Sequence, residues 1–94
     1  MTRIVTILPE DFADWETALL NGVARGFYKA ETAYATAGRQ PVASIGGLKV
    51  TPDMAIEEID PAALDALVVC RGGGWKSARP PAISDIVHRV HEAG

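Results

Sequence analysis

The sequence predicts an α/β fold built on a mostly parallel, doubly wound sheet, and three observations carry that prediction. Two short runs, RIVTIL at 3–8 and ALVVC at 66–70, are almost wholly apolar. Strands of that kind are typically covered on both faces, as in parallel sheets. Two further stretches, near residues 14–25 and 81–93, carry apolar residues at helical spacing, so helices are available to cover the sheet.

The first strand, Arg3–Leu8, is followed by the turn PEDFAD and then by a helix. Asp14 or Asp11 is expected to cap that helix, which should run to about Arg25 and stop at Gly26. Its apolar face is predicted to consist of four residues with Ala18 alongside: Trp15, Leu19, Gly22 and Val23.

A second strand and a hairpin are expected in the middle of the chain. ETAYATA at 31–37 predicts the strand, and Gly38 opens a turn. VASI and LKVT flank Gly46-Gly47, which predicts a β-hairpin because both glycines can adopt a positive φ. The following segment, 52–66, is predicted to be a connection with one short helical turn near Pro61–Leu64.

The last element predicted is a helix over Pro81–Ala93, with an apolar stripe made of Ile83, Ile86, Val87 and Val90. The order is therefore β-α-β-hairpin-β-α. A right-handed β-α-β unit would continue into another parallel strand after this helix. We therefore expect residues 1–94 to form a single domain that is incomplete, the front half of a doubly wound sheet.

Composition and charge exclude several functions. The net charge is only −3 and the nine basic residues are scattered, so neither a nucleic acid nor an anionic membrane surface is expected as a partner. No apolar stretch approaches the roughly 20 residues of a membrane span, and the N-terminus predicts a strand instead of a signal peptide. A single cysteine is consistent with a reducing compartment, and a cytoplasmic location is expected.

The most suggestive stretch is LVVCRGGGW at 67–75. Ligands of open α/β sheets bind beyond the carboxyl ends of strands, where Gly72 and Gly73 fall, and their amides could face an oxyanion. The alternative is a plain strand-to-helix turn without a ligand. Cys70, at the end of a buried strand, is expected to be a packing residue rather than a nucleophile.

Glu16 is the second candidate, because it falls in the first helical turn at the same predicted sheet edge. Beside Trp15 its carboxyl could donate a proton, or it could simply be an acid favoured by the helix dipole. His88 and His91 lie three residues apart on a helix with no third ligand within reach by sequence, so no metal and no cofactor are expected.

Three motifs together resemble the DJ-1/PfpI superfamily, the class I glutamine amidotransferase-like fold. They are ADWE at 13–16, SIGG at 44–47 and GGGW at 72–75, and they occur in the order that the superfamily has. The resemblance implies a flavodoxin-like sheet, frequent dimerisation and a reactive cysteine on a strand-to-helix elbow. By this resemblance Glu16 hydrogen-bonds that thiol and the Gly72 and Gly73 amides form the oxyanion pocket.

The same resemblance places Trp15, Gly74 and Trp75 at the substrate, which is expected to be a small molecule. It also exposes a departure, since the elbow cysteine would follow the last helix and Cys70 occupies a different position. Two functions therefore remain open: the N-terminal part of a cysteine-dependent hydrolase or amidotransferase-like enzyme that lacks its nucleophile, or a non-catalytic binding or dimerisation module. Such a module could pair as a homodimer through its sheet edge or through the 42–51 hairpin.

Overall fold

The computed structural model describes residues 2–70 and 84–93, and these form a parallel sheet with a helix on each face. The elements in chain order are β1 Arg3–Ile7, α1 Asp14–Tyr28, β2 Glu31–Thr36, β3 Val42–Ala43, β4 Lys49–Val50, β5 Met54–Ala55, β6 Ala66–Val69 and α2 Ser84–Ala93. Single 3₁₀ turns cover Ala37–Arg39, Ile56–Glu58 and Pro61–Ala63. No helix in the described ranges is long and apolar enough to cross a membrane.

The sheet has the order β5-β2-β1-β6, and every neighbouring pair is parallel. β1 is central, and its residues from Ile4 to Ile7 are buried, as the apolar run RIVTIL predicts. β6 lies at an edge of the described sheet, which is why its residues are only half-buried and Val69 is 40% exposed. The α/β class, the three main strands and their parallel pairing are therefore confirmed.

Alternation along β1 shows that the sheet is doubly wound. Val5 and Ile7 point to one face, where they share a core with Ile86 and Val90 of α2. Thr6 points to the opposite face, where its hydroxyl accepts a hydrogen bond from Asn21 of α1 at 3.2 Å. The two helices thus cover opposite faces, which agrees with a flavodoxin-like arrangement.

Helix α1 differs from its prediction at both ends. The N-cap is Ala13, with no side-chain capping bond, and Asp14 is already helical. The helix continues through Gly26 to Tyr28 and ends at Lys29, which adopts a left-handed conformation with φ 56°. The helix closes by backbone hydrogen bonds from the Lys29 and Ala30 amides to the Ala24 carbonyl, so it ends beyond Gly26 and not at it.

The prediction that α1 buries its apolar face is also wrong. The residues that the helix buries are Thr17 and Asn21, whereas Trp15 and Leu19 are 67% and 76% exposed. The sheet beneath α1 is polar, and the Asn21 amide donates to both Thr6 Oγ1 and the Tyr34 hydroxyl at 3.2 Å. Because buried polar groups need hydrogen-bond partners, the polar side of α1 faces the sheet and the apolar stripe faces away.

The hairpin around Gly46-Gly47 is confirmed, with β3 and β4 antiparallel. Only Gly47 of the pair has a positive φ, at 90°, because the turn closes by a bond from the Gly47 amide to the Ser44 carbonyl. The predicted connection 52–66 contains the expected turn at Pro61–Ala63 and also the short strand β5, whose two residues are too few for a sequence pattern to reveal.

The last helix is described over Ser84–Ala93, and residues 81–83 of its prediction, with Ile83 of the predicted apolar stripe, lie outside the described residues. Two residues of its predicted apolar stripe face the core: Ile86 is 4% exposed and Val90 is half-buried. Val87 is 42% exposed, so the stripe that α2 buries is narrower than predicted.

Candidate functional site

The candidate site lies at the carboxyl edge of the sheet, where β1 and β6 end and α1 begins. Backbone pairing extends one residue beyond the strands, since the Leu8 amide donates to the Ala35 carbonyl and the Cys70 amide to the Ile7 carbonyl, both at 3.0 Å. These bonds hold the strand ends in register under the first turn of α1. Such an edge is where open α/β sheets bind their ligands.

Asp14 joins the first turn of α1 to the hairpin. Its carboxylate accepts hydrogen bonds from the Ser44 hydroxyl at 2.5 Å and from the Gly46 amide at 2.9 Å. The Ser44 oxygen in turn accepts from the Leu48 amide at 2.9 Å, which spans the turn. The carboxylate, one hydroxyl and two amides therefore form a connected network that fixes the hairpin against the helix.

A backbone contact supports the same junction. The Ile45 amide donates to the Phe12 carbonyl at 2.9 Å, and the Asp11 amide donates to the Ala43 carbonyl at 2.8 Å. Asp11 reaches this geometry with φ at 58°, a left-handed conformation that Asp tolerates better than most residues. The segment that enters α1 and the hairpin turn are thus pinned at several points.

The network around Asp14 explains the first glycine of the hairpin. A Cβ built on Gly46 would lie 3.0 Å from Asp14 Oδ2 and 3.2 Å from Oδ1. A side chain there would force the carboxylate out of its bonding position. Glycine is therefore needed at position 46 because the Asp14 carboxylate lies where a side chain would be, and not because the backbone has a positive φ there.

Electrostatically, Asp14 is held in its charged form. The Ser44 hydroxyl, and next the Gly46 amide, lower the pKa of its carboxyl below the ordinary value of 3.8. Hydrogen bonds to the ionised form favour that form. Asp14 thus remains an acceptor at neutral pH and is a poor source of protons.

Glu16 and Trp15, the two predicted site residues within the described ranges, lie in the first turn of α1 as expected. Both side chains are exposed, Trp15 at 67%. The start of this helix adjoins the end of β6, since the Ala13 carbonyl oxygen lies 3.7 Å from Cys70 Sγ, and the charge of Glu16 contributes to a raised pKa of that thiol. The structure therefore brings Glu16 to the edge where the sequence places it.

Cys70 is buried directly beneath this turn, at 1% exposure, in a cluster with Leu8 and Phe12. Its Sγ lies 3.7 Å from the Ala13 carbonyl oxygen. Burial raises the pKa of the Cys70 thiol, a hydrogen bond with Thr17 offsets part of that rise, and the charge of Glu16 adds to it. The thiol is protonated and enclosed at neutral pH, which supports its interpretation as a packing residue.

The predicted residues Gly72, Gly73, Gly74 and Trp75 lie outside the described residues. His88 and His91 are exposed on α2, and no cluster of three or more metal-ligating side chains occurs within residues 2–70 and 84–93. The roles of Asp14, Ser44 and Thr17 leave no local signal in the sequence. ADWE and SIGG were each recognisable, but the pairing of an acid in one with a hydroxyl and an amide in the other spans 30 residues.

Comparisons with a family model and with solved structures point to the same family. A family model described as the DJ-1/PfpI family matches residues 2–94. A solved DJ-1 superfamily protein from Agrobacterium tumefaciens is 43% identical with a TM-score of 0.94, and the match covers 98% of this chain and 49% of that one. The chain thus spans about half the length of that relative.

Two more distant structures share the fold alone. DJ-1 of Toxoplasma gondii in its oxidised form is 18% identical with a TM-score of 0.72, over 99% of this chain and 51% of that one. An AraC family transcriptional regulator from Pseudomonas putida is 20% identical with a TM-score of 0.70, over 98% of this chain and 59% of that one. Among curated proteins no match was found.

Proposed function

Since the chain belongs to the DJ-1/PfpI family, we propose that it forms the N-terminal part of a glutamine amidotransferase-like protein whose longer form is a cysteine-dependent enzyme. The reaction proposed is hydrolysis or amide-nitrogen transfer on a small substrate. The observation that carries the proposal is the position of Glu16, exposed in the first turn of α1 at the carboxyl edge of the sheet.

In the proposed enzyme the nucleophile is a thiol supplied from outside the described residues. Cys70 is a poor candidate because it is buried and its pKa is raised. When protonated, Glu16 would donate a hydrogen bond to the thiolate and so favour this reactive form of the thiol. The thiolate would attack the substrate carbonyl carbon, and the amine would leave with a proton. Water would then hydrolyse the resulting thioester and regenerate the thiol.

Two further roles in the proposed site rest on the sequence resemblance. The Gly72 and Gly73 amides would donate to the oxyanion of the tetrahedral intermediate. Trp15, Gly74 and Trp75 would contact the substrate. The exposed indole of Trp15, adjacent to Glu16 on α1, is compatible with that role.

The test compares Glu16→Gln with Glu57→Gln in a longer polypeptide that contains this chain. Glu57 is an exposed acid on the 3₁₀ turn after β5, at the opposite side of the sheet from β6, and serves as the matched control. We expect Glu16→Gln to lower thiol-dependent turnover by about 10²-fold or more, and Glu57→Gln to leave it unchanged. Equal activity of the two variants would contradict the role of Glu16.

A non-catalytic binding or dimerisation module is the second candidate, and the exposed apolar stripe of α1 favours it. The same preparation separates the two functions. Absence of any thiol-dependent turnover in the longer polypeptide, together with normal folding, would support the module. Turnover by the 94-residue chain alone that Cys70→Ser abolishes would contradict the assignment of Cys70.

A further inference from the structure

A cavity of about 640 Å³ opens at the amino-terminal edge of the sheet, where β2 begins and α1 ends. Its volume falls within the range of about 300–1,000 Å³ that is common for small-molecule sites. The cavity exists because β5 is too short to cover β2. β5 pairs only with Ala35 and Thr36, so within the described chain no strand pairs with the first half of β2 on this side. This edge is the opposite one from the candidate site.

Thr32 offers polar groups to the cavity. The Tyr34 amide donates to the Asp53 carboxylate and the Tyr34 carbonyl accepts from the Asp53 amide, so the backbone of Tyr34 is turned away from β1. Thr32 lies two residues earlier and presents its amide and carbonyl to the same side, where β5 has not yet begun. Its side chain shares a face with that of Tyr34, which contacts Asn21 of α1. An amide and a hydroxyl therefore line the cavity beside α1.

The cavity is positively charged, although the chain as a whole carries a charge of −3. Three basic residues line it, Arg3, Arg25 and Lys29, together with the acid Glu31. Arg3 is neutralised by Glu31, since its Nη2 lies 2.8 Å from the carboxylate oxygen Oε2. The side chains of Arg25 and Lys29 form no hydrogen bond or ion pair with any described residue. Two cations without a counterion in one cavity indicate an anionic ligand.

We propose that this cavity binds a small organic phosphate, namely a phosphate monoester with a short apolar body. Such a group carries about two negative charges at neutral pH, which the two unpaired cations would balance. Arg25 would contact its oxygens through the planar guanidinium, Lys29 as a point charge, and Thr32 through its amide and hydroxyl. Ala33 and Met54 supply an apolar wall for the body of the ligand. The inference does not depend on the proposed catalytic activity.

The backbone at Lys29 supports a role for its side chain. Lys29 ends α1 in the left-handed region, with φ at 56°. Glycine is the usual residue at such a position because it has no Cβ, so lysine is held there at some cost in backbone energy. The helix dipole favours a cation at this end, and Arg25 in the last turn already provides one. A contact with an anionic ligand gives the lysine side chain a use that glycine could not supply.

Isothermal titration calorimetry on the longer polypeptide that contains this chain tests the proposal, with phenyl phosphate as the probe. We expect the wild type to bind it and Arg25→Gln to raise the dissociation constant about 3-fold or more. Lys49→Gln is the matched control, because it removes one positive charge from an exposed lysine of β4 that does not line the cavity. It should leave the dissociation constant unchanged. Inorganic phosphate should bind more weakly than phenyl phosphate, because it lacks the apolar body.

A second variant, Lys29→Gly, separates binding from folding. Glycine adopts the left-handed conformation more readily than lysine, so this variant should fold normally by circular dichroism. We expect it nevertheless to bind phenyl phosphate about 3-fold or more weakly than the wild type. The proposal would be overturned by a wild type that does not bind phenyl phosphate, or by an equal loss of affinity in Lys49→Gln. Unchanged binding in both Arg25→Gln and Lys29→Gly, or equal affinity for inorganic phosphate, would overturn it as well.

Discussion

Replacement of Cys70 should reduce stability without reducing activity. Cys70→Ala removes a sulfur atom from a closed cluster with Leu8 and Phe12, where exposure is 1%. A buried group of methylene size contributes about 0.8 kcal/mol to stability, and the cavity left behind adds to the loss. We therefore expect Cys70→Ala to lower the free energy of unfolding by about 1–2 kcal/mol.

Cys70→Ser keeps the volume but buries a hydroxyl, which costs about 1–3 kcal/mol when it lacks a good partner. The Ala13 carbonyl oxygen lies 3.7 Å from Sγ, which is distant for a hydroxyl, whereas the Thr17 side chain hydrogen-bonds the thiol and can also hydrogen-bond a serine hydroxyl. Because that bond offsets only part of the cost of burying the hydroxyl, the serine variant should be at least as destabilised as the alanine variant. Urea unfolding of both variants beside the wild type measures the order.

Alkylation with iodoacetamide is the complementary assay, because it reports access to the thiol. An exposed thiol introduced by Leu48→Cys in a Cys70→Ala background is the control, since Leu48 is 59% exposed. A buried thiol reacts only after local opening, and an opening cost of about 3 kcal/mol slows labelling roughly 100-fold. The packing role would be refuted if Cys70 were labelled as fast as the control thiol and if the labelling rate rose with pH around a midpoint below the ordinary thiol pKa.

Three further predictions concern the hairpin and the core. Asp14→Asn should lower the melting temperature at neutral pH, and the difference from the wild type should shrink as the pH falls below about 4. The reason is that the pKa of Asp14 is lowered in the folded chain, so its carboxylate stabilises the fold above pH 3.8 and this stabilisation is lost when the carboxylate is protonated. A difference in melting temperature that does not change with pH would contradict this role. Gly46→Ala should destabilise the folded chain by displacing the Asp14 carboxylate. Gly22→Ala should instead stabilise the folded chain by about 0.5–1 kcal/mol, because alanine is favoured over glycine inside a helix and its Cβ meets nothing within 4 Å. Thermal unfolding measures both changes, and two changes of the same sign would argue against the environments assigned to these glycines. Ile7→Ala should lower the free energy of unfolding by about 2–5 kcal/mol, because Ile7 is fully buried. Ile45 is 60% exposed, so Ile45→Ala should change that free energy by no more than about 0.5 kcal/mol. Denaturant titration measures both values, and similar losses in the two variants would contradict the assigned core.

Much of the fold could be predicted because its signals are local. The run RIVTIL is short, apolar and β-branched, which indicates a strand covered on both faces, and β1 buries all of its residues except Arg3. The glycine pair likewise indicates the hairpin, and Pro61 the short turn that follows. The two-residue strand β5 was not predictable, because its pairing with β2 leaves no periodicity in the sequence.

The orientation of α1 was decided by tertiary structure. The sequence shows an apolar stripe and a polar one, and burial of the apolar stripe is the usual outcome. Here Thr6 and Tyr34 present hydroxyls beneath the helix, and the side-chain amide of Asn21 donates a hydrogen bond to each. That match between residues far apart in sequence turns the apolar stripe outward.

For the candidate site, the sequence by itself determined which groups are available: an acid at Glu16, a strand end at Cys70 and the ADWE and SIGG motifs. Tertiary structure decided what they contact. Asp14 became the acceptor for Ser44 and Gly46, and Cys70 was enclosed beneath the first turn of α1. Hydrogen bonds and burial depend on neighbours 30 to 57 residues away, and such neighbours are set by how the strands and helices pack.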